Sequence, residues 1–224
     1  CGGFESCAED WLCALFLTPF AGGMARQNVD GTNCFYAAFT APPAMNYNVV
    51  RRRYEIIGDD GEDGIFSTFC MPCAMRRALT ETKMRGRVRN WGPYKWEDTT
   101  QNSDQWTLPL CTCTIETFCY ALFCPQCISA SARNRFDNSD WCFNFCCTTP
   151  FANNTMIREG YGLEGNECVD FITMLVLWPC TLQRAYAEAT IKYLQALAAK
   201  GAEMLKKCCN CCGKKENESN HPKK

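Results

Sequence analysis

The chain reads as a mainly α protein, two tandem cysteine-rich helical modules with a long helix at the C-terminal end. Three observations predict this. The sequence matches itself at an offset of 107 residues. Over 181–207 the residues Leu182, Tyr186, Ala189, Tyr193 and Leu197 recur at three- and four-residue spacing, the period of a helix. And 20 of the 224 residues are cysteine, a level that signals small cores assisted by cross-links or metal.

At the 107-residue offset Arg26 falls on Arg133 and Asp30 on Asp137. Arg51 falls on Arg158, Tyr54 on Tyr161, Gly58 on Gly165 and Asp63 on Asp170. Pro72-Cys73 falls on Pro179-Cys180, Arg77 on Arg184 and Glu81 on Glu188. One extra residue aligns Cys34-Phe35 with Cys142-Phe143. Uncommon residue types coinciding this often mark a duplication. Residues 1–86 form the first module. Residues 87–110 form a linker whose tryptophans (Trp91, Trp96, Trp106) are expected to lie on the modules. Residues 111–190 form the second module, and 191–224 extend the last helix into a Cys/Lys-rich tail.

Each copy runs in the same order. An apolar stretch with Cys and Pro comes first (11–25 and 118–132), then a polar turn with Asp and a second apolar stretch beginning Cys-Phe. Arg-x-x-Tyr and a Gly-rich acidic turn follow. Asp63 and Asp170 stand ahead of apolar runs and are the expected N-caps of the last segment. That segment ends in Arg-x-x-x-Glu, where Arg184 and Glu188 are one turn apart and expected to pair along the helix. Its Ala, Leu, Lys, Glu and Gln favour helix, and Gly201 costs about 1 kcal/mol relative to Ala. No apolar stretch reaches the roughly 20 residues of a membrane span. The longest, 11–25 and 172–182, contain proline and read as buried core, with a re-entrant or interfacial role as the alternative.

Composition excludes much. With 23 basic and 24 acidic residues and a net charge of -1, there is no global positive field for nucleic acid. The single histidine, His221, lies in the polar tail, so Ser-His-Asp, Cys-His and histidine-rich zinc sites are out of reach. No phosphate loop, HExxH or G-x-S-x-G motif is present. The expectation is a non-enzyme with no small-molecule substrate. The acidic turn Asp59-Asp60-Gly61-Glu62-Asp63 lacks the spacing of a calcium loop. The start as given shows no basic-then-apolar leader, so a reducing interior is expected, where clustered cysteines bind metal, carry lipid or stay reduced. The sequons Asn153-Asn154-Thr155 and Asn217-Glu218-Ser219 point the other way, to a secreted, disulfide-stapled protein.

The second copy holds the richest cysteine set. A Cys-x-x-Cys turn, here Cys124 and Cys127, presents two thiols to one point and suits half of a tetrahedral zinc site. Cys142, Cys146, Cys168 and Cys180 are candidates for the other half. Soft thiolates favour zinc and cadmium over magnesium or calcium. Disulfides and buried thiols packing as small hydrophobes are the alternatives. The first copy has Leu17-Thr18-Pro19-Phe20 where the second has Cys-x-x-Cys, and Gly61 opposite Cys168. It keeps Cys34 and Cys73 and adds Cys70, so it cannot use the same ligands.

Several stretches together are distinctive. They are Cys119 to Cys124-Pro125-Gln126-Cys127, Trp141-Cys142 with Cys146-Cys147, Ile157-Arg158-Glu159-Gly160-Tyr161-Gly162-Leu163, Cys168-Val169-Asp170, and Trp178-Pro179-Cys180 leading to Gln183-Arg184 and Glu188. Along the whole second copy this resembles the placenta-specific 8 (PLAC8) family, which includes cornifelin, plant cadmium-resistance proteins and cell number regulators. The resemblance implies a non-enzymatic, membrane-associated protein acting in zinc or cadmium binding or homeostasis, or in growth regulation. The competing expectation is a structural or interaction subunit whose cysteines fill or staple its cores.

In the tail, Cys208, Cys209, Cys211 and Cys212 stand between Lys206-Lys207 and Lys214-Lys215. Cysteines beside lysines at a helix end suit S-acylation, with the basic residues attracting anionic lipid. A thiolate metal cluster has similar spacing. The expectation is a protein held at the cytoplasmic face of a membrane through this tail, with protein partners or self-association.

Overall fold

The computed structural model describes residues 14–87, 105–110 and 114–218, with side chains described as far as residue 204. Among the described residues there is no strand, and the mainly α class holds. The first half contributes α1 (Thr18–Asp30), α2 (Cys34–Thr40), α3 (Pro43–Arg53), α4 (Asp60–Phe69) and α5 (Met71–Arg85). The second contributes α6 (Ile115–Phe123), α7 (Pro125–Asp137), α8 (Trp141–Cys147), α9 (Pro150–Gly160) and the long α10 (Glu167–Glu218).

Local chemistry sets these boundaries. Prolines occupy the first or second position of α1, α3, α5, α7 and α9, where a missing N–H costs nothing and φ is already helical. Gly31 (φ 83°) ends α1 and Asn138 (φ 54°) ends α7, both in the left-handed conformation that closes helix C-termini. The caps of α4 and α10 correct the sequence reading. Asp59 accepts the Gly61 N–H at 3.0 Å and Asn166 the Val169 N–H at 2.9 Å. Asp63 and Asp170 therefore lie one turn inside their helices. α10 is bent at Leu177 (φ -125°, ψ 36°), just ahead of Pro179, whose ring cannot follow the preceding turn. The Thr181 hydroxyl donates to the Leu177 carbonyl at 3.0 Å.

The starts of α7, α8, α9 and α10 stand 107 residues after those of α1, α2, α3 and α4. This removes the extra residue placed in the second apolar stretch. Asn33 caps α2, accepting from the N–H groups of Phe35 and Tyr36, and Asp140 caps α8, accepting from Phe143. Those caps also stand 107 apart and hold one register. Cys34 thus corresponds to Trp141, while Phe35 and Phe39 correspond to Cys142 and Cys146.

Three apolar clusters form the core. One is within the first half (Ala21, Ala25, Val29, Val50, Met75, Leu79) and one within the second (Ala121, Ile128, Met174, Leu182). The third joins Ala41, Met45 and Val49 to Phe136, Met156, Ile157 and Ala189 across the halves. Small residues let helices approach closely. A Cβ on Gly23 would meet the Cys34 carbonyl oxygen at 2.2 Å, and one on Gly160 would meet the Phe136 ring at 2.1 Å. The halves also clasp each other reciprocally. Asp60 accepts the Asp140 N–H at 2.7 Å, and Glu167 accepts the Asn33 N–H at 2.7 Å. These pairs are the same two positions exchanged, as in the self-complementary interface of a two-fold dimer.

Candidate functional site

The repeated polar residues build the interior. Arg51 Nε donates to Asp63 Oδ2 at 2.6 Å, and Arg158 Nε to Asp170 Oδ2 at 2.6 Å. The same arginines donate to the carbonyls of Gly58 at 3.0 Å and Gly165 at 3.2 Å. Arg26 pairs with Asp30 at 2.8 Å and Arg133 with Asp137 at 3.4 Å. Arg133 also reaches Asn48 Oδ1 in the first half at 3.0 Å, and Arg52 reaches the Asp137 carbonyl at 3.0 Å. Tyr54 and Tyr161 lie under the cations of Arg85 and Lys192, 5.5 and 4.6 Å from the ring centres.

Charge balance inside is uneven. Burial raises the Asp30 carboxyl, but Arg26, Arg53 and Thr32 outweigh burial and hold it below its ordinary 3.8. Asp60 is likewise driven well below the carboxylate range, its burial overcome by Arg52, the Asp140 N–H and Asn48. Glu159 goes the other way. Burial first, then the Asp30 charge, push it up to about 7, with Arg26 and Arg158 opposing and Glu167 adding to the rise.

The outside is apolar at matched positions. Phe16 and Phe123, Ile65 and Ile172, and Phe69 and Val176 are three pairs 107 residues apart, and all six side chains are more than half exposed. Phe35 and Phe39 on α2 are also more than half exposed, as is Leu175 on α10, and Val169 is half exposed. No charged residue occurs in 34–50, 64–75, 117–132, 141–157 or 171–183. Farther along α10, Leu194, Leu197 and Met204 are exposed at three- and seven-residue steps, and Cys208 and Cys211 follow at four- and three-residue steps. The tail side chains, like His221, Trp91 and Trp96, lie outside the described residues. Among the described residues no helix is long and apolar enough to cross a membrane.

The cysteines separate by environment. Cys124 and Cys127 are disulfide-bonded, as are Cys70 and Cys73, each pair at a helix start. Cys142, Cys146 and Cys168 are free and exposed, and Cys180 is half-buried. Cys147 lies against α4, and burial, then the neighbouring Cys146, raise its thiol above the ordinary value. Among the described residues no three His, Cys, Asp or Glu side chains group to hold a metal. The expected zinc ligands Cys124, Cys127, Cys142, Cys146, Cys168 and Cys180 are thus not gathered into one tetrahedral set, and two of them are bonded to each other. Cys73, retained in the first copy, is in the Cys70 disulfide.

Two further expectations change. Arg184 and Glu188 do not pair along α10. The Arg184 guanidinium lies under the Trp106 ring at 4.1 Å, and Glu188 accepts the N–H and hydroxyl of Thr107 at 2.9 and 3.0 Å. Both side chains therefore hold the linker, a long-range contact that local spacing does not encode. Asn153 of the first sequon is buried, its amide donating to Ser129 Oγ at 2.9 Å and Thr148 Oγ1 at 2.8 Å, so this fold has no room for a glycan there. Asn217 lies in α10, its side chain outside the described set. Comparison with protein families, curated proteins and solved structures finds no match to this chain.

Proposed function

We propose that this chain is a non-enzymatic membrane-surface protein of the PLAC8 type. Its apolar outer faces lie in the interfacial layer of a bilayer, and acylation of Cys208, Cys209, Cys211 and Cys212 fixes it at the cytoplasmic side. The observation that supports this most is the placing of polarity: charged and amide side chains pair inside beside the apolar clusters, while apolar side chains point outward at the same positions of both halves. Ionisable groups in a lipid setting face the protein interior and pair with one another, and exposed apolar surface of this kind marks an interaction site. Lipid is the occupant because the outward apolar positions recur over several helices rather than forming one groove, and because lysines cluster in the far part of α10 and the tail (Lys200, Lys206, Lys207, Lys214, Lys215). From the kink to Cys208 the helix spans roughly 45 Å, so the apolar faces and the tail meet one membrane when α10 lies along the surface. The exposed stripe Leu194, Leu197, Met204 suits that placement.

The stripe also supports a second reading, in which α10 pairs with a partner helix or a second copy. Flotation of the full, unacylated chain with anionic vesicles separates the two. Flotation supports the membrane reading, while a soluble dimer that ignores vesicles supports the second.

A further inference from the structure

A pocket of about 250 Å³ opens in the first half between α3, α4 and α5, walled by Tyr47, Arg51, Ile57, Phe66, Arg77 and Glu81. Arg77 and Glu81 are the positions that correspond to Arg184 and Glu188. In the second half those two side chains hold the segment ahead of α6, with Trp106 stacked on Arg184 and Thr107 donating twice to Glu188. The surroundings correspond as well: the Arg51–Asp63 pair behind the pocket matches Arg158–Asp170, both at 2.6 Å, and Ala78 matches the equally buried Ala185. A basic residue one turn further on binds each glutamate, Arg85 at 2.8 Å and Lys192 at 3.5 Å. Glu188 accepts both Thr107 donors with that cation in place, so Arg85 does not disqualify Glu81. The other three walls named above, Tyr47, Ile57 and Phe66, replace Asn154, Glu164 and Thr173 and add apolar surface matched to an indole.

We propose that this pocket is a recognition site for a partner protein's Trp-Thr segment, the indole lying on the Arg77 guanidinium and the threonine donating its N–H and O–H to Glu81. The second half is the template: one receptor surface built twice, filled by the chain's own linker in one copy and, among the described residues, open in the other. A guanidinium under an indole is the favoured cation–π geometry, and paired donors on one carboxylate are charge-assisted hydrogen bonds. Together they select Trp followed by a hydroxyl residue.

The test uses the full chain and a synthetic peptide of the linker's own sequence, Ser103-Asp104-Gln105-Trp106-Thr107-Leu108-Pro109-Leu110, titrated by calorimetry. The expected result is one peptide per chain. Arg77→Ala weakens it about tenfold, Glu81→Gln about tenfold, and a peptide with alanine for tryptophan does not bind. In a Trp106→Ala chain the second-half site is vacated as well, and two peptides bind. No binding, or binding that survives Arg77→Ala and Glu81→Gln, overturns the proposal. So does binding lost in Arg184→Ala but kept in Arg77→Ala, because the peptide would then only be displacing the linker.

Discussion

Replacing Arg133 by methionine tests whether the polar interior holds the two halves together. The Arg133 side chain is 0% exposed and binds Asp137 at 3.4 Å, Asn153 Oδ1 at 3.5 Å and, across the halves, Asn48 Oδ1 at 3.0 Å. Methionine keeps the stem but takes the paired guanidinium from the Asp137 carboxylate, which keeps the Ser139 N–H at 2.9 Å and the charges of Arg52 and Arg53 nearby. Removing one partner of a buried ion pair costs about 3–5 kcal/mol, and the charges of Arg52 and Arg53 put this case at the low end of that range. The corresponding change in the first half is milder. With Arg26 gone, Asp30 keeps the Thr32 N–H at 3.0 Å, the Thr32 hydroxyl at 2.6 Å and Arg53 at 3.4 Å, so Arg26→Met costs about 2 kcal/mol. Urea unfolding followed by far-ultraviolet circular dichroism measures both as midpoint shifts at constant slope. Adding Asp137→Leu to Arg133→Met removes the stranded charge and recovers most of the loss. The reasoning is refuted if Arg133→Met costs less than about 1 kcal/mol, if Arg26→Met is the more damaging, or if the double variant recovers nothing.

Glu159 predicts a pH dependence. Its folded value, about 7, lies above the ordinary 4.5, so the fold favours the protonated form. Stability from this group is full below pH 4.5 and is lost as pH rises through 7. Glu159→Gln should match the wild type at low pH and exceed it by at most about 3 kcal/mol at pH 8. Equal pH profiles for the two proteins would contradict the burial argument. For the thiols, protein purified without chelator under oxidising conditions should carry no stoichiometric zinc, because Cys124 and Cys127 are bonded to each other. One zinc per chain, lost in Cys142→Ser/Cys146→Ser, would show that the dispersed cysteines regroup around metal.

The repeat was legible because paired side chains fix both partners: Arg51 and Asp63 recur as Arg158 and Asp170, and an ion pair survives only if both ends do. Their roles were less legible. Aspartate suits a helix cap and a buried pair equally, so Asp63 has the sequence pattern of a cap although Asp59 occupies that place. Cysteine identity pulled the alignment one residue off in α2, and this hid the match of Phe35 and Phe39 to Cys142 and Cys146. The outward facing of the apolar runs was invisible too, since a short uncharged run has the same composition whether it faces a core or a bilayer. Trp106 on Arg184 joins residues far apart in the chain, and no local period announces such a contact.

The most direct test of the membrane assignment is flotation of the full chain with anionic vesicles, comparing wild type with Ile65→Asp/Ile172→Asp. Both side chains are more than half exposed, so the variant keeps the fold. Wild type should float and the variant should remain with the soluble fraction, because each buried aspartate at the interface opposes insertion by a few kcal/mol, about 2.5–3.5 at the bilayer centre. Wild type left at the bottom of the gradient, or a variant that floats as well, would contradict the account.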